Sequence, residues 1–135
     1  MASGIKFLLD TNVCIAFLHR NDPAVRVKLA EIPSHEIALC SVVKAELLYG
    51  ARKSQWVHKN LQILAGFFSH FESFTFDDRA AEHYGLIHAT LRAAGHPIGL
   101  NDILIASIAL ARDVTVVTRN TREFIRVPGL RLELW

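Results

Sequence analysis

Long hydrophobic runs are missing from this chain of 135 residues, although 51% of it is apolar. No stretch approaches the roughly 18 uninterrupted apolar residues that a membrane-spanning helix needs. The first apolar run is cut by Asp10 where the core of a signal peptide would continue, so a cytoplasmic protein with no membrane role is expected. Cysteine is scarce: Cys14 and Cys40 form neither a disulfide framework nor a metal-ligand spacing, and both are expected as reduced core residues. Repeats, low-complexity tracts and Gly/Ser/Pro linkers are absent as well. Residues 1–135 therefore read as one domain, long enough for a real core. Charge of one sign is not in excess, with 15 Lys and Arg against 13 Asp and Glu. A net charge of +2 permits nucleic-acid binding without arguing for it. The seven histidines are scattered, and none has a neighbour that marks it as a general base.

What is present is an alternation of short apolar runs and helical patterns. Ile5-Lys6-Phe7-Leu8-Leu9 ends abruptly at Asp10, as a buried parallel strand does before a helix. Residues 36–40 read as a second strand, 74–76 as a third, and Val114-Thr115-Val116-Val117-Thr118 as the clearest of all. Residues 130–134 suggest an edge strand. Helices are expected from Val13, over 24–32 after Pro23, over 42–53 with Ser41 as N-cap, over about 56–71, and from Asp77 or Asp78 onward. On the helix over 56–71, Leu61, Leu64, Phe68 and Phe71 make an apolar stripe widened by Ile63 and Phe67. That stripe reads first as core and second as a partner surface. The pattern predicts a three-layer α/β/α fold with a mostly parallel sheet, whose strand ends share one edge.

Ligands of open α/β sheets bind outside the carboxyl ends of the strands, which is where Asp10 falls. Glu46 follows the second strand by one and a half helical turns, and Asp102 opens a helix, 103–111, that is apolar on nearly every side. An unpaired buried charge costs several kcal/mol on the order of an ion's effective desolvation penalty. Each acid has an ordinary explanation: a cap at Asp10, a solvated surface at Glu46, a helix dipole at Asp102. Together they are better explained by one divalent cation, and oxygen ligands without His or Cys point to Mg²⁺ or Mn²⁺.

The chain resembles the PIN-domain ribonucleases, most closely the VapC-type toxins of toxin–antitoxin pairs. The resemblance rests on Leu8-Leu9-Asp10-Thr11-Asn12, on Ser41-Val42-Val43-Lys44-Ala45-Glu46-Leu47-Leu48-Tyr49-Gly50, on Gly99-Leu100-Asn101-Asp102-Ile103-Leu104-Ile105-Ala106 and on Val117-Thr118-Arg119-Asn120-Thr121-Arg122-Glu123-Phe124. It implies a metal-dependent endoribonuclease with Asp10, Glu46 and Asp102 as ligands, cleaving RNA by attack of water. It also implies an antitoxin partner, a homodimer and a toxin–antitoxin hetero-oligomer. Many members carry a fourth acid just after the strand that here ends at Thr118. This chain has Asn120 there, so either Glu123 reaches the site, directly or through water, or Asn120 holds a water in it. Thr11, Asn12 and Thr118 are placed to support the acids. Arg119 and Arg122, with Lys44, Arg52, Lys53 and Arg126, flank the acidic segments and are candidates for phosphate contacts.

Other readings fit less well. A haloacid-dehalogenase-like phosphatase needs an acid two residues after Asp10, where this chain has Asn12. A receiver-like domain wants paired acids after its first strand. A PIN-like module that binds RNA or protein with weak or no catalysis remains the alternative to the enzyme.

Overall fold

Strand β1 (Phe7–Leu9) is the centre of the sheet, paired in parallel with β2 (Ile37–Cys40) on one side and β4 (Thr115–Thr118) on the other. The computed structural model describes residues 4–135. β3 (Glu72–Phe74) flanks β2 and β5 (Leu132–Leu134) flanks β4, giving one five-stranded parallel sheet in the order β3-β2-β1-β4-β5. All four residues of β2 are buried. Successive side chains on a strand point to opposite faces, so both faces of the sheet are covered, as the three-layer pattern predicts.

Parallel neighbours need crossovers, and helices supply every one. Helices α1 (Thr11–Leu18) and α2 (Pro23–Glu31) lead from β1 to β2, the latter after a 3₁₀ turn at Ser34–Glu36. α3 (Ser41–Arg52) and α4 (Val57–Phe68) lead to β3, α5 (Asp78–Ala93) and α6 (Leu100–Arg112) to β4, and the short α7 (Thr121–Phe124) to β5. The order turns back at β1, with β2 to one side and β4 to the other. The crevice between the ends of β1 and β4 is thus a topological switch point.

The core is continuous. Leu8, Leu9, Ile37, Leu39, Phe74 and Phe124 are fully buried from the sheet and α7, and Ile103, Ile105 and Ile108 from α6. Each such side chain contributes about 1.5–3 kcal/mol relative to exposure. α6 packs chiefly against α5, and its buried Ser107 is satisfied by donating to Ile103 O at 2.6 Å. Leu64 and Phe67 of the α4 stripe are buried, with Phe67 stacked on Phe17 at 5.6 Å and edge-on to Phe71 at 5.1 Å. Ile63 stays 44% exposed, so the stripe is core on one side only. Cys14 and Cys40 are buried free thiols. Burial pushes Cys40 up to about 11 and Cys14 well above its ordinary value, which keeps both protonated and unreactive.

Three local expectations need correction. The third strand spans Glu72–Phe74 rather than 74–76, because parallel register with β2 pairs Cys40 with Phe74, and beyond it Asp77 already caps α5. Ser41 is the first residue of α3, not its cap: Cys40 stands at the N-cap, and the Ser41 hydroxyl donates to Phe74 O at 3.4 Å. The fourth helix stops at Phe68 instead of continuing to residue 71, since the chain turns at Ser69, which donates to Gly66 O.

Candidate active site

Each acid reaches the site for a local reason. Asp10 leaves β1 in an extended conformation and caps α1, its Oδ1 accepting from Val13 N–H at 2.9 Å. Its other oxygen, Oδ2, accepts from Thr118 Oγ1 at 2.6 Å. Thr118 is buried at the end of the adjacent strand and in turn accepts from Asn120 N–H at 2.8 Å. Asp10 is therefore both a helix cap and a member of the site; the two roles share one carboxylate. Only 3% of its surface is exposed, yet a carboxylate's roughly four lone-pair sites exceed the bonds it accepts from Thr118, Val13 and Asn12. Burial pushes its carboxyl above the ordinary range against the pull of the Thr118 and Val13 bonds, and repulsion from Glu46 adds to the rise.

Glu46 projects from the second turn of α3 and is held by Thr11, whose Oγ1 donates to Oε1 at 2.7 Å. Asp102 sits in the first turn of α6. That helix leads into β4, so its far end, where Asp102 sits, lies at the edge at which Asp10 leaves β1. Burial pushes the Asp102 carboxyl up to about 7, reinforced by its hydrogen bond with Glu123 and by repulsion from Glu123, Asp10 and Glu46. Glu123 moves the other way, lowered by the same bond with Asp102 and by donation from Asn120 Nδ2 at 3.3 Å. The two shifts run in opposite directions, so Asp102 holds a proton more readily than Glu123 does. Gly99 lies against the pair: a Cβ there would stand 3.7 Å from Asp102 Oδ2 and 4.0 Å from Glu123 Oε2, which are ordinary contact distances.

Asp10, Glu46 and Asp102 line one open cavity of about 890 Å³, together with Thr11 and the exposed Asn12. Glu46 and Asp102 also border a second opening beside Gly99 and Asn101. Glu123 meets the site through Asp102 rather than from the cavity wall, and Asn120 through Glu123. The donor set is all oxygen and anionic, which fits a hard divalent cation. As placed, no three His, Cys, Asp or Glu side chains among the described residues stand close enough together to hold a metal ion.

The cations are placed unevenly. Arg119 Nη2 pairs with Asp22 Oδ1 at 2.8 Å, and Asp22 also caps α2 by accepting from Ala24 N–H and Val25 N–H. Arg122 is exposed on α7. Arg126 Nη1 donates to Pro97 O at 3.1 Å and helps hold Glu123 low. Lys44 lies over Phe68 at 4.9 Å, and Lys53, at the C-cap of α3, lies over Tyr49 at 5.0 Å. Two site neighbours escaped the sequence reading. Asp22 showed only as part of a helix break, with nothing to tie it to Arg119. Tyr49 lines the cavity, and its signal was available: Glu46, Tyr49, Gly50 and Lys53 follow the three–four spacing of one helix face.

The PIN domain family model matches residues 7–130. A tRNA(fMet)-specific endonuclease VapC of Shigella flexneri is 44% identical over 131 residues, covering 97% of this chain and 98% of that protein. Its namesake from Salmonella typhimurium is 41% identical with the same coverage. Among solved structures, DNA-bound VapBC from Salmonella typhimurium superposes with a TM-score of 0.92 at 40% identity, over 97% of this chain and 98% of the other. VapBC2 from Rickettsia felis, bound to a promoter DNA fragment, gives a TM-score of 0.91 at 36% identity, over 97% and 99%.

Proposed function

Because the chain belongs to the PIN-domain family, among its VapC-type ribonucleases, we propose that it is an endoribonuclease and the toxin of a toxin–antitoxin pair. The observation that carries this reading is the convergence of Asp10, Glu46 and Asp102, from three separate elements, on one open cavity. The whole-length similarity to named endonucleases supports RNA as the substrate, and transfer RNA is the first to test. Such a substrate would place the protein in the cytoplasm; among the described residues no helix is long and apolar enough to cross a membrane.

Asp10, Glu46 and Asp102 would hold Mg²⁺ or Mn²⁺, which supplies charge neutralisation at the phosphodiester and lowers the pKa of the attacking water. The chain's own part is orientation and proton control. Thr118 and Val13 N–H fix both oxygens of Asp10, and Thr11 fixes Glu46. Glu123 lies against Asp102 and raises its carboxyl, and Asn120 steadies Glu123. Glu123 thereby takes a supporting place where many relatives carry a fourth acid.

An antitoxin partner is supported by the VapBC complexes among the structural neighbours. A groove between α1, α3 and α4, lined by Ile15, Leu18, Leu47, Ile63 and Leu64, is where we place its contact. Ile63→Glu should then abolish co-purification with the antitoxin, and an undisturbed complex would move the contact elsewhere. We also infer a homodimer, to be read from the mass of the free toxin in solution.

The deciding experiment is cleavage of transfer RNA by the antitoxin-free protein with Mg²⁺ or Mn²⁺, beside EDTA and Asp102→Asn controls. Cutting that is lost in both controls and leaves 5′-phosphate and 3′-hydroxyl ends supports the reading. A cyclic 2′,3′-phosphate would mean that the ribose hydroxyl attacks. No cutting by a folded protein that still binds RNA would favour the binding-only module.

A further inference from the structure

Tyr49 is 66% exposed although it lines the same cavity as the three acids. Three and seven residues after Glu46, Tyr49 and Lys53 share its helix face, one and two turns further along. Lys53 Nζ stands 5.0 Å from the ring centroid. Between them Gly50 leaves the wall open, since a Cβ there would meet nothing within 4 Å. Among the described residues lining this cavity, Lys53 is the sole Lys or Arg.

We propose that Tyr49 and Lys53 form a nucleotide subsite beside the acids, in which the ring stacks on an unpaired nucleobase and the ammonium takes that nucleotide's phosphate. The proposal deepens the ribonuclease reading and rests on it. An acidic cavity repels the phosphates of the strand it must hold. A base offers an uncharged π-face, so stacking holds the strand without adding to that repulsion. Looped or single-stranded RNA is commonly read in this way, with splayed bases on aromatic side chains. Stacking tolerates any base because every base has a flat face. In the free protein the Lys53 ammonium lies over the Tyr49 ring, a cation–π contact that holds the two side chains side by side.

The experiment uses a single-stranded RNA oligomer that the protein cuts, and versions with one abasic nucleotide at each position in turn. Tyr49→Ala should lower kcat/KM by about 5- to 150-fold, the equivalent of one base–aromatic stack, mainly through KM. One abasic position should cost the wild type a similar factor and cost Tyr49→Ala almost nothing more. Tyr49→Trp should restore most of the loss, and Lys53→Gln should flatten the salt dependence by about one phosphate contact. Losses that multiply, or Tyr49→Ala cutting like the wild type, overturn the subsite. So does a Tyr49→Ala protein that cuts normally but no longer co-purifies with its antitoxin, since the face would then serve a protein. If the wild type cuts nothing, the ribonuclease reading fails by itself. Binding of the same oligomers by fluorescence anisotropy still decides the subsite: affinity lost together in Tyr49→Ala and at one abasic position supports it, and equal affinities refute it.

Discussion

The Thr118 hydroxyl donates to Asp10 Oδ2 at 2.6 Å, joining two residues 108 positions apart at the ends of neighbouring parallel strands. Because Thr118 also accepts from Asn120 N–H, one buried hydroxyl ties β1, β4 and the loop after β4 to a single acid.

Thr118→Val keeps the shape and removes both bonds. It should destabilise the fold by about 1–3 kcal/mol, the usual consequence of stranding a buried polar group. Divalent-metal affinity should drop roughly 10–100-fold, as when the support of a metal ligand is removed. Calorimetric metal titration beside thermal melts checks both, and Thr118→Ser should recover the affinity. An unchanged affinity would exclude Asp10 as a ligand that depends on Thr118.

Asp102 makes the metal-free protein sensitive to pH. Its folded-state carboxyl holds a proton up to about 7, whereas the unfolded chain releases it near 3.8. Between those values the folded state binds more protons, so stability is fullest at the acid end and is lost as pH rises toward 7. Glu123 is shifted the opposite way from 4.5, so its contribution is lost only on the acid side. In EDTA, the wild-type Tm should therefore fall from about pH 5 to about pH 7.5 more steeply than that of Asp102→Asn. The variant should be the more stable of the two at the upper end. Parallel curves would count against the raised Asp102 carboxyl.

Asp22→Asn keeps the cap on α2, since Asn and Asp cap about equally well, but drops the charge paired with Arg119. The Tm should barely move, because exposed ion pairs add little. The released Arg119 should steepen the salt dependence of RNA binding by about one phosphate contact. An unchanged slope would remove Arg119 from the RNA path.

Glu123→Gln takes away the anionic acceptor that favours the Asp102 proton. The metal-free Tm profile should flatten between about pH 5 and pH 7.5. Metal affinity should fall about tenfold, the lower end for a supporting group, and by less than in Asp102→Asn. A loss as large as that of Asp102→Asn would make Glu123 a ligand itself.

Much of this was legible from local pattern. β1 and β4 stand where short apolar runs bounded by polar residues place strands, and Asp10, Glu46 and Asp102 were recognisable as acids in apolar settings. The misread ends have one cause. Phe74-Thr75-Phe76 alternates like a strand, but pairing with Cys40 stops β3 at Phe74. Ser41 has the chemistry of a cap, but β2 runs straight into α3, so the capping position falls on Cys40.

By itself the order of residues determined the element types, the parallel sheet and the edge on which the acids gather, because burial follows the period of the apolar positions. Tertiary structure alone decided which groups meet. Thr118 on Asp10, Thr11 on Glu46, Arg119 on Asp22 and Glu123 against Asp102 are contacts between separate elements. Their partners are chosen by sheet order and by the start of α6 at the strand ends, and no local spacing carries that information.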